Sequence, residues 1–387
     1  MADFIQQAEI LITCPKNIAP FLEREVLNLG YKPISIGPAY VKIEGTLLDC
    51  MRLNLWLRTA HKVLYKIKEF EAQNPDRLYV AVKAVSWGGF IHTEGYFTVH
   101  SVVLNETIKD TRFANLKVKD AVADWFMEKR KTRPDAGSEK EGVVLFLHWQ
   151  ENNAALYIDT SGETVARHNY RKNPYTAPMQ ETLAAAVLMA TKWDKKTTFI
   201  NPMCGSGTLS IEAALLAANI APGLNRANFC FMHLPGFPED EWDKLKLEAK
   251  QSIRTPEGRF ILTDHDAGAI EASRTNATKA GVEKYMEFAI CDFKETEIPK
   301  QEKGIVILNP EYGERLGKVE ELERVYQEIG DFFKKQCQGY VGYVFTGNLD
   351  LGKKIGLKTK RKIPFYSGKI ECRLLEYELY AGTTKGK

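Results

Sequence analysis

The segment Asn201-Pro202-Met203-Cys204-Gly205-Ser206-Gly207-Thr208 has the residue types and spacing of a ligand-binding turn. It follows a short apolar run at 198–200 and opens a helical stretch at 209–219. Glycines let a backbone approach a ligand closely, and open α/β sheets bind ligands beyond the carboxyl ends of their strands. A dinucleotide fingerprint asks for a third glycine where Ser210 stands, and a phosphate loop asks for Lys where Thr208 stands. Both phosphate readings weaken. A nucleoside or amino-acid ligand remains, against the plainer alternative of a Gly-rich strand-to-helix turn. The next apolar run ends in Thr263-Asp264-His265-Asp266. A carboxylate there could accept both hydroxyls of a ribose, or either Asp could cap the helix that follows. Both can hold, with Asp264 on the ribose and Asp266 capping. Cys291-Asp292-Phe293 ends the following run. Asp292 could accept an adenine amino group with Phe293 beside the ring, or be an ordinary loop residue.

Basic side chains form a second constellation. Lys117, Lys119, Lys129, Arg130, Lys131 and Arg133 lie on and after one helical stretch, and Arg167, His168, Arg171 and Lys172 lie close to the glycine turn's half of the chain. Such groups contact nucleic-acid phosphates, or they form a solvated helix face. The seven cysteines are scattered, without a CxxC or a Cys/His cluster, so neither a zinc site nor a disulfide framework is expected. Reduced thiols suit a cytoplasmic protein. No basic segment followed by an apolar stretch marks the N-terminus as a signal peptide.

The elements that position these residues follow from the pattern. A chain of 387 residues, 44% hydrophobic and 27% charged, suggests two or three globular domains and no membrane span. The net charge of +3 says little by itself. Up to about residue 65 the pattern gives a small α/β unit: strands at 10–13 and 40–43, helices at 18–29 and 47–56. A second unit follows to about 165, with a strand at 96–103, a helix at 115–131 and a hairpin of 143–149 with 154–158. Beyond Gly162 the grammar becomes βαβ. Apolar runs at 198–200, 260–263, 286–290, 305–308 and 340–345 alternate with helices at 181–191, 209–219, 267–280 and 321–337. Continuous runs of this kind suit parallel strands covered on both faces, in an open doubly wound sheet. Residues 361–380 form a closing antiparallel pair. The distance from Gly207 to Asp264 is about twice a minimal ~30-residue βαβ unit, which places an insertion near 222–258.

The fourth run ends in Asn309-Pro310-Glu311-Tyr312. This resembles the N-P-P-Y motif of class I methyltransferases that act on planar amines. The resemblance implies that the Asn309 side chain and the Pro310 carbonyl accept both N–H groups of the amine, and that Tyr312 stacks on a flipped base. It extends along the chain through Arg167-His168-Asn169-Tyr170-Arg171, Ala177 to Leu183, Asn201 to Thr208, Gly313-Glu314-Arg315-Leu316 and Ile370 to Leu375, all of which resemble THUMP-containing RNA methyltransferases. The implied architecture is a ferredoxin-like unit (1–65), a THUMP domain (66–165) and a Rossmann-like methyltransferase domain (166–387). The implied cofactor is S-adenosylmethionine, held by Asn201, Cys204, Gly205, Gly207, Thr208, Asp264, Asp292 and Phe293. Lys117, Lys119, Lys129, Arg130, Arg167 and Arg171 would hold RNA. The bacterial 23S rRNA guanine-N2-methyltransferases are the nearest pattern, which implies guanine N2 in 23S rRNA as the target. An inactive RNA-binding or ribosome-assembly factor, a tRNA guanine-N2 enzyme and a DNA adenine-N6 enzyme are the alternatives. Two residues depart from the family: Asn201 replaces an Asp, and Glu311 replaces the second Pro.

Overall fold

The computed structural model describes residues 2–106, 108, 110–173, 175, 178–312 and 319–380. The chain forms two compact units. The first gathers the N-terminal residues up to Cys14, Leu22–Ala166 and Arg226–Ala249; the second gathers Pro15–Phe21, Arg167–Asn225 and the chain from Lys250 onward.

The early elements are β1 (Ala8–Thr13), α1 (Ala19–Asn28), β2 (Pro33–Gly37), β3 (Tyr40–Gly45), α2 (Leu47–Trp56), β4 (Lys62–Glu71), α3 (Pro75–Lys83), β5 (Tyr96–Leu104), α4 (Thr111–Arg130), β6 (Asp135–Ala136), β7 (Val143–Gln150) and β8 (Asn153–Asp159). Among the described residues they make one sheet in the order β2-β3-β1-β4-β8-β7-β5-β6. β4 runs through residue 65 and pairs with β1 on one side and β8 on the other. The expected boundary at 65/66 therefore falls inside a central strand. The sequence pattern hid β4 because lysines interrupt it. Lys62 pairs with the wholly buried Asp159, and Lys66 with Glu9 and Glu69. Their apolar stems can lie on the sheet while the charged ends find carboxylates. Local signals set the helices. Thr46 caps α2 in a reciprocal capping box with Asp49, and Asn74 caps α3 with Pro75 in its first turn.

The later elements are α5 (Glu181–Ala190), β9 (Thr198–Pro202), α6 (Thr208–Ala217), α7 (Glu239–Gln251), β10 (Phe260–Asp264), α8 (Ala267–Ala280), β11 (Met286–Ile290), β12 (Gly304–Leu308), α9 (Val319–Lys335), β13 (Val341–Thr346), α10 (Leu349–Lys354), β14 (Arg361–Ser367) and β15 (Ile370–Glu378). The second unit's sheet has the order β11-β10-β9-β12-β13-β15-β14. β9 to β13 are parallel, and β15 is antiparallel to both β13 and β14. The strand order reverses at β9, whose neighbours are β10 and β12, so the crevice for a ligand opens at the carboxyl end of β9. α6 is buried at all ten positions. α9 presents Tyr326, Ile329, Phe332 and Phe333 at helical spacing to Val306, Leu308 and Val344 of the sheet. Each such side chain taken fully out of water contributes roughly 1.5–3 kcal/mol.

The stretch expected as an insertion is structured. It contains α7, and its residues Arg226–Ala249 belong to the first unit. Phe229 and Phe231 stack, and Trp242 meets both edge-on at 5.5 and 5.1 Å. The Arg226 guanidinium donates to the carbonyls of Ser161, Glu163 and Thr164.

Candidate active site

The carboxyl ends of β11, β10, β9 and β12 bring four of the expected segments to one edge of the sheet. β9 ends at Pro202 and turns at once into α6. Gly207 caps α6 at φ +78°, and Gly205 sits at φ +54°. Those angles suit residues without a Cβ. A Cβ on Gly207 would stand 2.5 Å from the Ser273 hydroxyl, so α8 approaches the turn closely. Among the described residues, none beyond its chain neighbours comes within 4 Å of the same point on Gly205, which leaves that side of the turn open to a ligand.

Asp264 ends β10 and is 8% exposed. Its Oδ2 accepts from the Gly205 N–H at 2.9 Å and its Oδ1 from the Asp266 N–H at 3.1 Å. These bonds fix the carboxylate and leave it lone pairs for further donors. Asp266 caps α8 through the Gly268 N–H, so Asp264 is not the cap of that helix. The Cys291 N–H donates to the Asp264 carbonyl at 3.0 Å, which sets the end of β11 beside that of β10. Asp292 follows, partly buried, and caps a single 3-10 turn through the Lys294 N–H. Phe293 is placed differently from the reading that put it beside a ligand ring. It is 6% exposed and meets Phe332 edge-on at 5.7 Å, as part of the core.

Asn201 is committed internally. Its Nδ2 donates to the Ile307 carbonyl at 2.9 Å, and its Oδ1 accepts from the Ser210 hydroxyl at 2.9 Å. It joins β9, β12 and α6 and is 1% exposed. Burial pushes the Cys204 thiol up to about 12, against the Ser273 hydroxyl, which lowers it. The thiol stays protonated and contributes shape. Thr208 opens α6, and its hydroxyl accepts from Arg171 at 3.2 Å.

Asn309 follows β12 directly. Its Oδ1 is buried and has no hydrogen-bond partner among the described residues. A buried acceptor of this kind costs free energy unless something supplies a donor. Pro310 is buried beside it, and Glu311 is exposed. The Tyr312 ring lies against Gly347 and meets Phe345 edge-on at 6.5 Å. Burial raises the Tyr312 hydroxyl's pKa, and the neighbouring Cys372 adds to the rise. The segment Gly313-Glu314-Arg315-Leu316 lies outside the described residues, as does Ala177.

The basic residues divide into two groups. Arg171 donates to Thr208 and to the Met179 carbonyl and pairs with Glu181 at 3.4 Å. Lys119 donates to the Gly137 carbonyl, and Lys117 lies 3.5 Å from Asp76. These three have partners within the protein. Lys129, Arg130 and Arg167 are exposed, with Lys129 beside Glu128. Lys129 and Arg130 also sit in the last turn of α4, where cations favour the helix dipole.

Two site residues carried no obvious signal in the sequence. Ser273 and Asn276 face the glycine turn from α8 and hold its carbonyls. Their trace is small: two polar residues three apart on the buried face of an otherwise ordinary helix.

These residues fit a nucleoside that carries an amino-acid group. Asp264 has lone pairs for a diol, Gly205 has an open side, and Asn309 holds an acceptor ready. No group of His, Cys, Asp and Glu able to hold a metal occurs among the described residues, and none of their helices is long and apolar enough to cross a membrane.

Residues 168–376 match the RMKL-like methyltransferase domain, 9–64 the RlmL ferredoxin-like domain and 72–159 the THUMP domain. The chain is 38% identical to the ribosomal RNA large subunit methyltransferase K/L of Syntrophotalea carbinolica, over 95% of this chain and 53% of that protein. It is 32% identical to a putative RNA methyltransferase of Synechocystis sp., over 95% of this chain and 96% of that protein. The chain spans about half the length of the K/L relatives it matches. A putative methyltransferase crystallised in complex with SAH superposes with a TM-score of 0.87 at 25% identity, over 98% of this chain and all of that one. A possible methylase from Clostridium difficile 630 gives 0.88 at 28%, with the same coverage. The chain belongs to the RMKL-like family of class I methyltransferases, which use S-adenosylmethionine, with ferredoxin-like and THUMP domains ahead of the catalytic one.

Proposed function

We propose that this protein methylates the exocyclic N2 of a guanine in RNA, with large-subunit ribosomal RNA as the substrate. The observation that carries the reading is the buried Asn309 Oδ1 at the end of β12, without a partner among the described residues and followed by Pro310 and Tyr312. The lone pair of a nucleobase amine is delocalised into its ring, so the amine is a poor nucleophile. The Asn309 Oδ1 and the Pro310 carbonyl accept its two N–H groups and orient the nitrogen. They also stabilise the positive charge that grows there as the new bond forms. Tyr312 provides a ring face for a base taken out of its stack. Gly205, Gly207 and Asp264 hold the methyl donor, with Asp264 on the ribose and Asp292 beside the adenine. When bound, S-adenosylmethionine supplies a methyl group on a cationic sulfur. The exposed Lys129, Arg130 and Arg167 meet RNA phosphates.

The K/L relatives and the THUMP match support RNA, and ribosomal RNA in particular, as the substrate. The amine-binding residues serve guanine N2 and adenine N6 alike. A structure described as a predicted N6-adenine-specific DNA methylase from Listeria monocytogenes superposes at a TM-score of 0.85 with 29% identity. Nucleoside analysis of nucleic acids from a strain lacking the protein tests the reading. Loss of N2-methylguanosine from large-subunit rRNA is expected. Loss of N6-methyladenine from DNA, or of N2-methylguanosine from tRNA alone, would replace it.

A further inference from the structure

The turn that opens α6 is held from behind by α8. The Ser273 hydroxyl donates to the Gly205 carbonyl at 3.0 Å and lies 3.5 Å from the Cys204 sulfur. Asn276, one turn further along and 1% exposed, is fully engaged. Its Nδ2 donates to the Ser206 carbonyl at 3.1 Å and the Asn173 carbonyl at 2.9 Å. Its Oδ1 accepts from the N–H groups of Lys172 and Asn173 at 3.0 and 3.1 Å. One side chain thus joins the turn to the segment just after Arg171, whose guanidinium in turn reaches Thr208.

The peptide planes of the turn follow from these bonds. In a trans peptide the N–H points opposite to the C=O. With the Gly205 carbonyl held on Ser273, the Ser206 N–H points away from α8. The Gly205 N–H is taken by Asp264, and the Gly207 N–H by the Cys204 carbonyl at 2.9 Å. The Ser206 N–H has no partner among the described residues. It lies two residues before the ten-residue helix α6, whose N-terminal end favours a negatively charged oxygen.

We propose that Ser273 and Asn276 are positioning residues for the methyl donor: by fixing the carbonyls of Gly205 and Ser206 on α8, they aim the Ser206 N–H at the donor's carboxylate. The inference rests on the assignment of the Gly205–Gly207 turn to the donor. Removing either clamp lets the turn's peptides rotate, so donor affinity falls while the amine-binding residues after β12 stay in place. Ser273→Ala deletes one hydroxyl. Asn276→Asp sets a carboxylate oxygen against the two carbonyls that Nδ2 served.

The test is calorimetric titration of SAH into the full-length wild type, Ser273→Ala, Asn276→Asp and Asp264→Ala, with the thermal midpoint of each measured alongside. Methyl transfer to total RNA is followed over a range of donor concentrations. Expected is a dissociation constant at least fivefold higher for Ser273→Ala and higher again for Asn276→Asp. The donor KM should rise in step, with kcat within about threefold of wild type at saturation. A purely structural role would lower the midpoint and leave the dissociation constant and KM unchanged, which overturns the proposal. If Asn276→Asp does not fold, Ser273→Ala decides alone. If Asp264→Ala binds SAH as wild type does, the assignment of the donor site is wrong. If Asp264→Ala weakens binding and the two α8 variants do not, only the positioning role is wrong.

Discussion

Asp264 joins the two halves of the proposed donor site, because it ends β10 while its carboxylate holds the Gly205 amide. Asp264→Ala removes hydrogen bonds to a charged group, each contributing roughly 1.5–3 kcal/mol. Donor affinity should fall by about 10- to 150-fold in calorimetry. An unchanged affinity would reject the ribose role. At the other end of the site, Asn309→Ala deletes the waiting acceptor and should lower single-turnover methyl transfer by about 100-fold or more. Glu311 replaces a proline that would restrict residue 310 to extended conformations. Its side chain is exposed, and the Pro310 carbonyl is backbone, so Glu311→Pro should change the rate by less than about 100-fold, some 2.7 kcal/mol of barrier. A wild type without transfer to any RNA, rescued by Glu311→Pro, would identify a protein that has abandoned catalysis. At this scale the sequence marks rare residue types at strand ends, as with Gly205, Gly207, Asp264 and Asn309, which the structure brings to one edge of the second unit's sheet. It is less informative where a polar or basic residue has partners inside the fold. Asn201 and Arg171 have the same chemical faces whether they meet a ligand or a carbonyl of the fold, and only coordinates separate the two uses.

The elements give the site its rigidity. α6 is buried along its whole length, and Glu212 lies wholly buried in it, 2.7 Å from the buried His168. Glu212→Ala leaves the imidazole without this partner, and a stranded buried polar group costs about 1–3 kcal/mol. Chemical denaturation should register a loss of that size, while Glu212→Gln, which keeps an acceptor, should lose less. Gly207→Ala combines a positive φ with a Cβ 2.5 Å from the Ser273 hydroxyl. The left-handed conformation alone costs about 1–2 kcal/mol for a residue with a Cβ. Donor binding should weaken at least tenfold, and binding at the wild-type level would mean that the turn is not the donor's. The alternation of apolar runs and helices made the second unit's sheet legible, because buried parallel strands leave continuous hydrophobic words. β4 and α7 were not legible. The lysines of β4 find carboxylates that are distant in sequence, and the charged surface of α7 conceals the single aromatic face that Trp242 provides.

For the whole molecule, RNA affinity should be electrostatic. Each phosphate contact contributes about 0.9 to the slope of log affinity against log salt on a duplex, and about 0.7 on a single strand. Replacing Lys129, Arg130 and Arg167 together with Gln should therefore reduce the slope by about 2–3 and leave SAH binding unchanged. A slope that does not move would assign these side chains to solvent. Domain truncation is a poor substitute for this test. A fragment beginning at Gly162 would contain Phe229, Phe231 and Trp242 but not the sheet of the unit to which they belong.

The path of the chain also sets a clock. Residues 22–166 emerge from the ribosome before Arg226–Ala249, which complete the same unit. At synthesis rates of about 5–20 residues per second, the wait from residue 166 to residue 249 lasts roughly 4–17 s. Through that interval the nascent sheet lacks the strip of aromatic residues that finishes it. Expression at lower temperature lengthens the wait, and chaperone demand during synthesis should track it.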